Sequence, residues 1–286
     1  MKTNAIIRIV IFSVVILLLL GILLAGLGIG MFILDFDSGY STSTEAFTSG
    51  GGAIDPNDIE NKIENIDVEW ASGSVLIYPA DVEAIEIHEA GNISEGQEMV
   101  YAVSGNTLKI HYSKPSIKIG FFSTPKKDLT IIVPNEWLCD KLSIDAASAD
   151  ISLRNFEGIT VDIDTASGDN SFQNCSISNV DIDTASGDVS YVGHVTDLDC
   201  DSASADITAV LTSLPNSVSI DTASGDLDLT LPESNDGFTV KTDSLSGKFT
   251  SEFETTMRGD AYIYKNGTCD IEIDGASGDI TIRKGS

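Results

Sequence analysis

Basic residues are scarce in this chain. Its 16 lysines and arginines stand against 44 aspartates and glutamates, giving a formal charge of −28 and a sequence pI near 4.1. Beyond residue 34 the arginines are Arg154, Arg258 and Arg283 alone. Nucleic-acid binding needs clustered Lys and Arg to neutralise phosphates, so nucleic acid is excluded as a partner. The four cysteines, Cys139, Cys175, Cys200 and Cys269, are far apart and show no CxxC or Cys/His spacing, which argues against a zinc site and a redox motif. His88, His111 and His194 fall on separate strands or a loop. No sequence context pairs them with a nucleophile or an orienting acid. The chain therefore reads as a non-enzyme. A polysaccharide-cleaving β-helix is the enzyme alternative, and the shortage of arginine counts against it.

Charge is also missing from residues 9–34, an apolar run long enough for a helix to cross a bilayer. Lys2 and Arg8 precede it and Asp35 and Asp37 follow. The positive-inside rule then leaves residues 1–8 as a cytoplasmic tail and puts everything after Leu34 outside a single-pass membrane protein. A cleavable secretory signal is the rival reading, but its apolar core is usually only about 7 to 15 residues long. No cysteine follows closely to suggest a lipoprotein, and Gly26 with Gly30 forms a GxxxG pair that could let two such helices dimerise. Residues 35–62, with Gly50-Gly51-Gly52 and Asp55-Pro56-Asn57-Asp58, read as a flexible linker.

What the chain has in abundance is repetition. Ile-Asp-Thr-Ala-Ser-Gly-Asp stands at 163–169, 182–188 and 220–226, with looser copies around Ser148, Ser204 and Ser246 and outlying ones at Ser72 and Ser277. A period of about twenty residues marks stacked supersecondary units that bury their apolar faces only against neighbours. Within each unit, period-two alternation predicts two short strands flanking the Ser-Gly turn. Leu142/Ile144, Val161/Ile163, Val180/Ile182, Val218/Ile220 and Ile271/Ile273 supply one inward strip. Ile151/Leu153, Phe172, Val189/Tyr191, Ile207, Leu227/Leu229, Phe249 and Ile280/Ile282 supply the other. The predicted fold is all-β, a β-solenoid over residues 63–286 after one transmembrane helix. Cys200 occupies an isoleucine position and reads as a small buried hydrophobe. Residues 232–268 break the rhythm, and no sizeable C-terminal cap is expected.

The repeat also predicts two acidic columns. Glu69, Asp145, Asp164, Asp183, Asp201, Asp221, Asp243 and Asp274 form one; Asp150, Asp169, Asp188, Asp206, Asp226 and Asp279 form the other. Coils stacked about 4.8 Å apart place neighbouring carboxylates in mutual repulsion of about 0.9 kcal/mol even in a fully watery dielectric. No cofactor is required by the sequence, but calcium or another divalent ion could sit between such columns, since hard cations take carboxylate and carbonyl oxygens. Asp164, Asp169, Asp183, Asp188, Asp221 and Asp226 are the candidate ligands. The alternative is that the second column hydrogen-bonds turn backbone while the first is solvated. Thr165, Thr184 and Thr222 form a shorter column expected to line the turn interior. Lys114, Lys118, Lys126 and Lys127 around Phe121-Phe122 are the one basic cluster, read as a solvated loop or a patch touching anionic lipid or wall polymer.

The Ser-Gly-Asp repeats, the strand Leu129 to Pro134 and the single apolar segment resemble a bacterial family of unknown function whose members are labelled adhesins. The resemblance covers roughly Ile63 to Ile282. It implies an envelope or attachment role and carries over no catalytic residues. Taken together, these readings predict a membrane-anchored protein that binds or scaffolds at the cell envelope through an acidic face, with a glycan, polymer or protein partner. A regulatory ectodomain sensing envelope stress through a membrane-protein partner is the runner-up.

Overall fold

The computed structural model describes residues 47–57, 62–112 and 125–285. The apolar segment 9–34, most of the linker, and Lys114, Lys118 and Phe121-Phe122 lie outside the described residues. Among the described residues there is no helix, and hence none long and apolar enough to cross a membrane. The domain is all-β, and alternation dictates it. In the strand Cys139–Arg154, for example, Cys139, Leu142, Ile144, Ala146, Ala149, Ile151 and Leu153 are buried while Asp145 and Asp150 are exposed.

Long strands bend at the Ser-Gly position and serve both layers of a flattened, solenoid-like stack. Successive coils pair in parallel with the repeats in register. Asp145 faces Asp164, Asp164 faces Asp183, Asp183 faces Asp201, and Asp201 faces Asp221. A parallel ladder of near-identical sequences has one register that keeps every apolar side chain inward, because a one-residue slip would turn the whole set outward. The core accordingly runs as files: Val68, Ile144, Ile163, Ile182, Cys200, Ile220 and Ile273 stack along one layer, each 1 % exposed or less. Cys200 thus holds the isoleucine place expected of it. Burial pushes its thiol up, and all four cysteines are free and buried.

The turn glycines are fixed by close approach. Gly187 sits at φ +124°, and a Cβ there would stand 2.1 Å from the carbonyl oxygen of Gly168 in the preceding coil. Only glycine tolerates both the dihedral and the contact.

The break in rhythm has a topological origin. Cys269–Ser277 does not end the stack; it lies between Ser217–Ser224 and Phe238–Ser246, just as Ile280–Lys284 lies between Leu227–Leu231 and Phe249–Ser251. The other end mirrors this. Asn65–Ala80 lies between Cys139–Arg154 on one side and Thr107–His111 with Lys127–Pro134 on the other. The regular coils are therefore continuous in space across two insertions, 81–138 and 232–268, each of which folds back over one end.

Antiparallel strands close both insertions: Val100–Ser104 then Thr48–Ser49 and Ile85–Gly91 then Gly52–Ile54 at one end, Ala261–Tyr264 then Thr256–Arg258 at the other. A bare end would expose unpaired strand edges and an open apolar cross-section. The expectation that no sizeable C-terminal cap exists is therefore corrected. A cap is present, built from the irregular stretch that precedes the last repeat.

Candidate interaction face

The outer surface of the first layer is built by the strand segments that precede each Ser-Gly turn. The predicted first column stands there in unbroken register: Glu69, Asp145, Asp164, Asp183, Asp201, Asp221, Asp274 and Asp243. Two residues earlier on the same strands runs a second row, Asp67, Ser143, Asp162, Asp181, Asp199, Ser219 and Glu272. A third row adds Asp197 and Asp270. Asp67, Asp162, Asp181, Asp199 and Glu272 are not among the predicted columns, although period-two alternation places them on the same side as Asp183.

Basic side chains stand at the margins of this face. In the second row Lys109 and Lys241 flank the acids at opposite ends, and His111 heads the first row, its Nδ1 2.8 Å from Glu69 Oε2. Lys141 reaches Asp162 at 2.9 Å. The middle is left to carboxylates. Asp145, Asp183, Asp201 and Asp221 are each pushed up to about 6, first by desolvation among packed neighbours and then by adjacent aspartate charge. Asp145 and Asp183 keep their tips in water, so the desolvation is that of a crowded surface, not an interior. A shallow depression of about 110 Å³ at the end covered by 232–268 is lined by Thr239, Lys241, Asp270, Ile271 and Glu272.

The predicted second column lies at the turns and is engaged with the main chain. Asp150 Oδ1 accepts the N–H of Asp169, Asp169 that of Asp188, Asp188 that of Asp206, Asp206 that of Asp226, and Asp226 that of Asp279, at 2.8 to 3.1 Å. This is the turn-backbone alternative realised as a ladder from coil to coil. Charge-assisted acceptance of an N–H is worth more than a neutral bond, which offsets the repulsion along the column.

Of the six candidate calcium ligands, Asp164, Asp183 and Asp221 thus stand on the sheet face, while Asp169, Asp188 and Asp226 stand at the turns. Among the described residues no three His, Cys, Asp or Glu side chains are grouped to hold a metal ion. Thr165, Thr184 and Thr222 are buried inside the turn: Thr165 donates to Thr184 Oγ1, and Thr184 and Thr222 donate to the carbonyls of Ser186 and Ser224.

Lys127 departs from its reading as part of a solvated basic loop or lipid-facing patch. It is 1 % exposed, its ammonium 2.6 Å from Glu89 Oε1, with donations to the carbonyls of Gln97 and Tyr112 and the Tyr112 ring centroid at 3.7 Å. Glu89 uses its other oxygen to accept the N–H of Met99. A full set of partners is what a buried ammonium requires. His194 Nδ1 meets Ser213 Oγ, a pair that sequence spacing did not suggest; among the described residues no carboxylate is hydrogen-bonded to that ring.

A family model described as Toastrack DUF4097 matches residues 63–196 and 139–283. Among solved structures, a putative cell adhesion protein from Clostridium sporogenes ATCC 15579 is 13 % identical over 84 % of this chain and 100 % of its own, with a TM-score of 0.41. A putative adhesin from Bacteroides fragilis NCTC 9343 is 15 % identical over 84 % of this chain and 97 % of its own, with a TM-score of 0.39. No curated protein matches.

Proposed function

The chain belongs to the Toastrack DUF4097 family, and from that premise we propose that it is a membrane-anchored, outward-facing scaffold that binds at the cell envelope through its acidic face. The observation that carries the reading is the pair of in-register carboxylate rows, Asp162, Asp181 and Asp199 beside Asp164, Asp183 and Asp201. A flat face of one charge sign attracts a partner of the other sign and steers its approach. The partner class that fits is polycationic: an amine-bearing envelope polymer or a basic protein segment. Anchoring rests on the uncharged run 9–34. Adhesion is the form this role takes if the polymer belongs to another surface.

The test uses the full chain in lipid nanodiscs with polylysine as probe. Binding should weaken steeply with salt and fall at least tenfold when Asp181, Asp183, Asp199 and Asp201 are all changed to Asn. Equal binding by parent and variant would remove the acidic face from the function. A calcium-bridged form of the same face is tested separately. A rise in thermal midpoint with calcium but not magnesium at fixed ionic strength would establish it, and Asp164→Asn with Asp183→Asn should abolish that rise.

The second reading, a regulatory ectodomain, is favoured by the Gly26 and Gly30 pair. Crosslinking in cells that recovers a membrane protein through residues 9–34, and no envelope polymer, would put it first.

A further inference from the structure

The coil 269–284 is a complete repeat held from both sides. Against coil 217–231 it continues the stack: Asp274 faces Asp221, Ser277 faces Ser224, and Asp279 donates its N–H to Asp226. Its other edge is covered by the insertion 232–268, whose first coil imitates a repeat and then ends it. Asp243 and Ser246 face Asp274 and Ser277 as a true repeat would. At the ladder position, however, Lys248 replaces aspartate; it donates its N–H to Asp279 Oδ1 and has no carboxylate to offer onward. Lys241 likewise replaces an acid opposite Glu272.

Beyond this coil the pairing turns antiparallel through Ala261–Tyr264. It ends on Thr256–Arg258, a fully exposed three-residue strand carrying a charge, as guarded sheet edges do. Phe238, Phe253 and Tyr264 pack on one another at 4.7 to 5.3 Å and close the apolar cross-section.

We infer that the insertion 232–268 is a cap over a latent self-association edge, and that the partner fitting this edge is a second copy of this chain. The edge is the outer side of Cys269–Ser277 and Ile280–Lys284, together with the open end of the core at Cys269, Ile271, Ile273, Ile280 and Ile282. Two copies related by a two-fold axis across the stack would pair each of these strands antiparallel with its own counterpart. Both layers would continue from one copy into the other, and each apolar end would bury its twin. Such an isologous contact is the commonest closed symmetry. Asp270, Glu272 and Asp274 of the two copies would meet there without the cations of the cap, so pairing should strengthen with salt.

The test replaces 232–268 in the full chain by a copy of residues 212–215, which make the equivalent step in the preceding coil, where Asn216 stands at the place of Cys269. Particle mass is compared with the parent in nanodiscs, so that any pairing through the apolar segment is common to both. Doubling of the parent's mass, favoured by salt, with exchange protection over Cys269–Ser277 kept at the parent's level although the cap is gone, is the expected result. Unchanged mass in a chain that keeps its strand content overturns the proposal, and so does open-ended growth with concentration.

If the shortened chain does not fold, hydrogen exchange on the intact chain decides. The amides of Phe238–Ser246 and Ala261–Tyr264 should open together and before those of Cys269–Ser277. Protection lost from all three strands at one rate overturns the cap.

Discussion

Each turn in the stack depends on one glycine and one aspartate whose roles can be separated. Gly187→Ala sets a Cβ against the Gly168 carbonyl at a positive φ, whereas at Gly105, φ +61°, a Cβ would have open space. Both substitutions carry a dihedral cost of at least about 1 kcal/mol, the larger at Gly187, whose φ lies beyond the left-handed helical region. Gly187→Ala should cost about 2 kcal/mol more through the forced separation of coils, read as the difference in urea midpoints. Equal losses would mean that the coil contact is soft. Asp188 accepts the N–H of Asp206 through Oδ1. Asp188→Asn keeps that acceptor and removes a charge from the column, while Asp188→Ala removes both. Thermal melts should leave the Asn variant at or above the parent and lower the Ala variant by about 1 kcal/mol. The reverse order would show that charge, not acceptance, is what the position supplies.

Among the elements, the fold-back of 81–138 is pinned by a buried ion pair between Lys127 and Glu89. Lys127 and Glu89 are 1 % and 3 % exposed at the side chain, so removing one partner leaves an uncompensated charge in the interior. Lys127→Met should therefore cost about 3 to 5 kcal/mol. Lys127→Met combined with Glu89→Leu should recover most of it, measured by denaturant unfolding at neutral pH. A double variant no better than the single would place the stabilisation in the lysine's carbonyl and ring contacts. The sequence concealed this pair because its members are joined only by tertiary folding: Glu89 lies on Ile85–Gly91 and Lys127 on the antiparallel neighbour Lys127–Pro134. The repeats, by contrast, announce their own pairing. Identical motifs stacked in parallel have one register that hides every isoleucine.

Across the whole molecule the acidic face sets a pH dependence with a definite sign. Asp145, Asp183, Asp201 and Asp221 hold protons up to about pH 6 in the fold but release them near 3.8 when unfolded. Between those values the folded chain binds more protons, so these groups make stability fall as pH rises through 4 to 6. Their contribution is restored on acidification. The urea midpoint should be higher near pH 4.5 than at pH 7, and Asp201→Asn should reduce that difference. A midpoint that climbs across the same interval would show the crowding of these carboxylates to be relieved in solution.

The sequence by itself determined the all-β repeat, the inward files, the first acidic column and the turn aspartates, because each is a local pattern that stacking multiplies without further information. Even the buried place of Cys200 followed from its alignment with isoleucines. Tertiary structure decided the rest. It placed coil 269–284 inside the stack, turned two irregular stretches into caps, buried Lys127 and brought His111 to Glu69. Each of these depends on pairing between segments separated by an insertion, where no repeated motif fixes the partner. Closing an open sheet edge and an exposed apolar end is a requirement of the assembled stack, so its solution appears only once the stack exists.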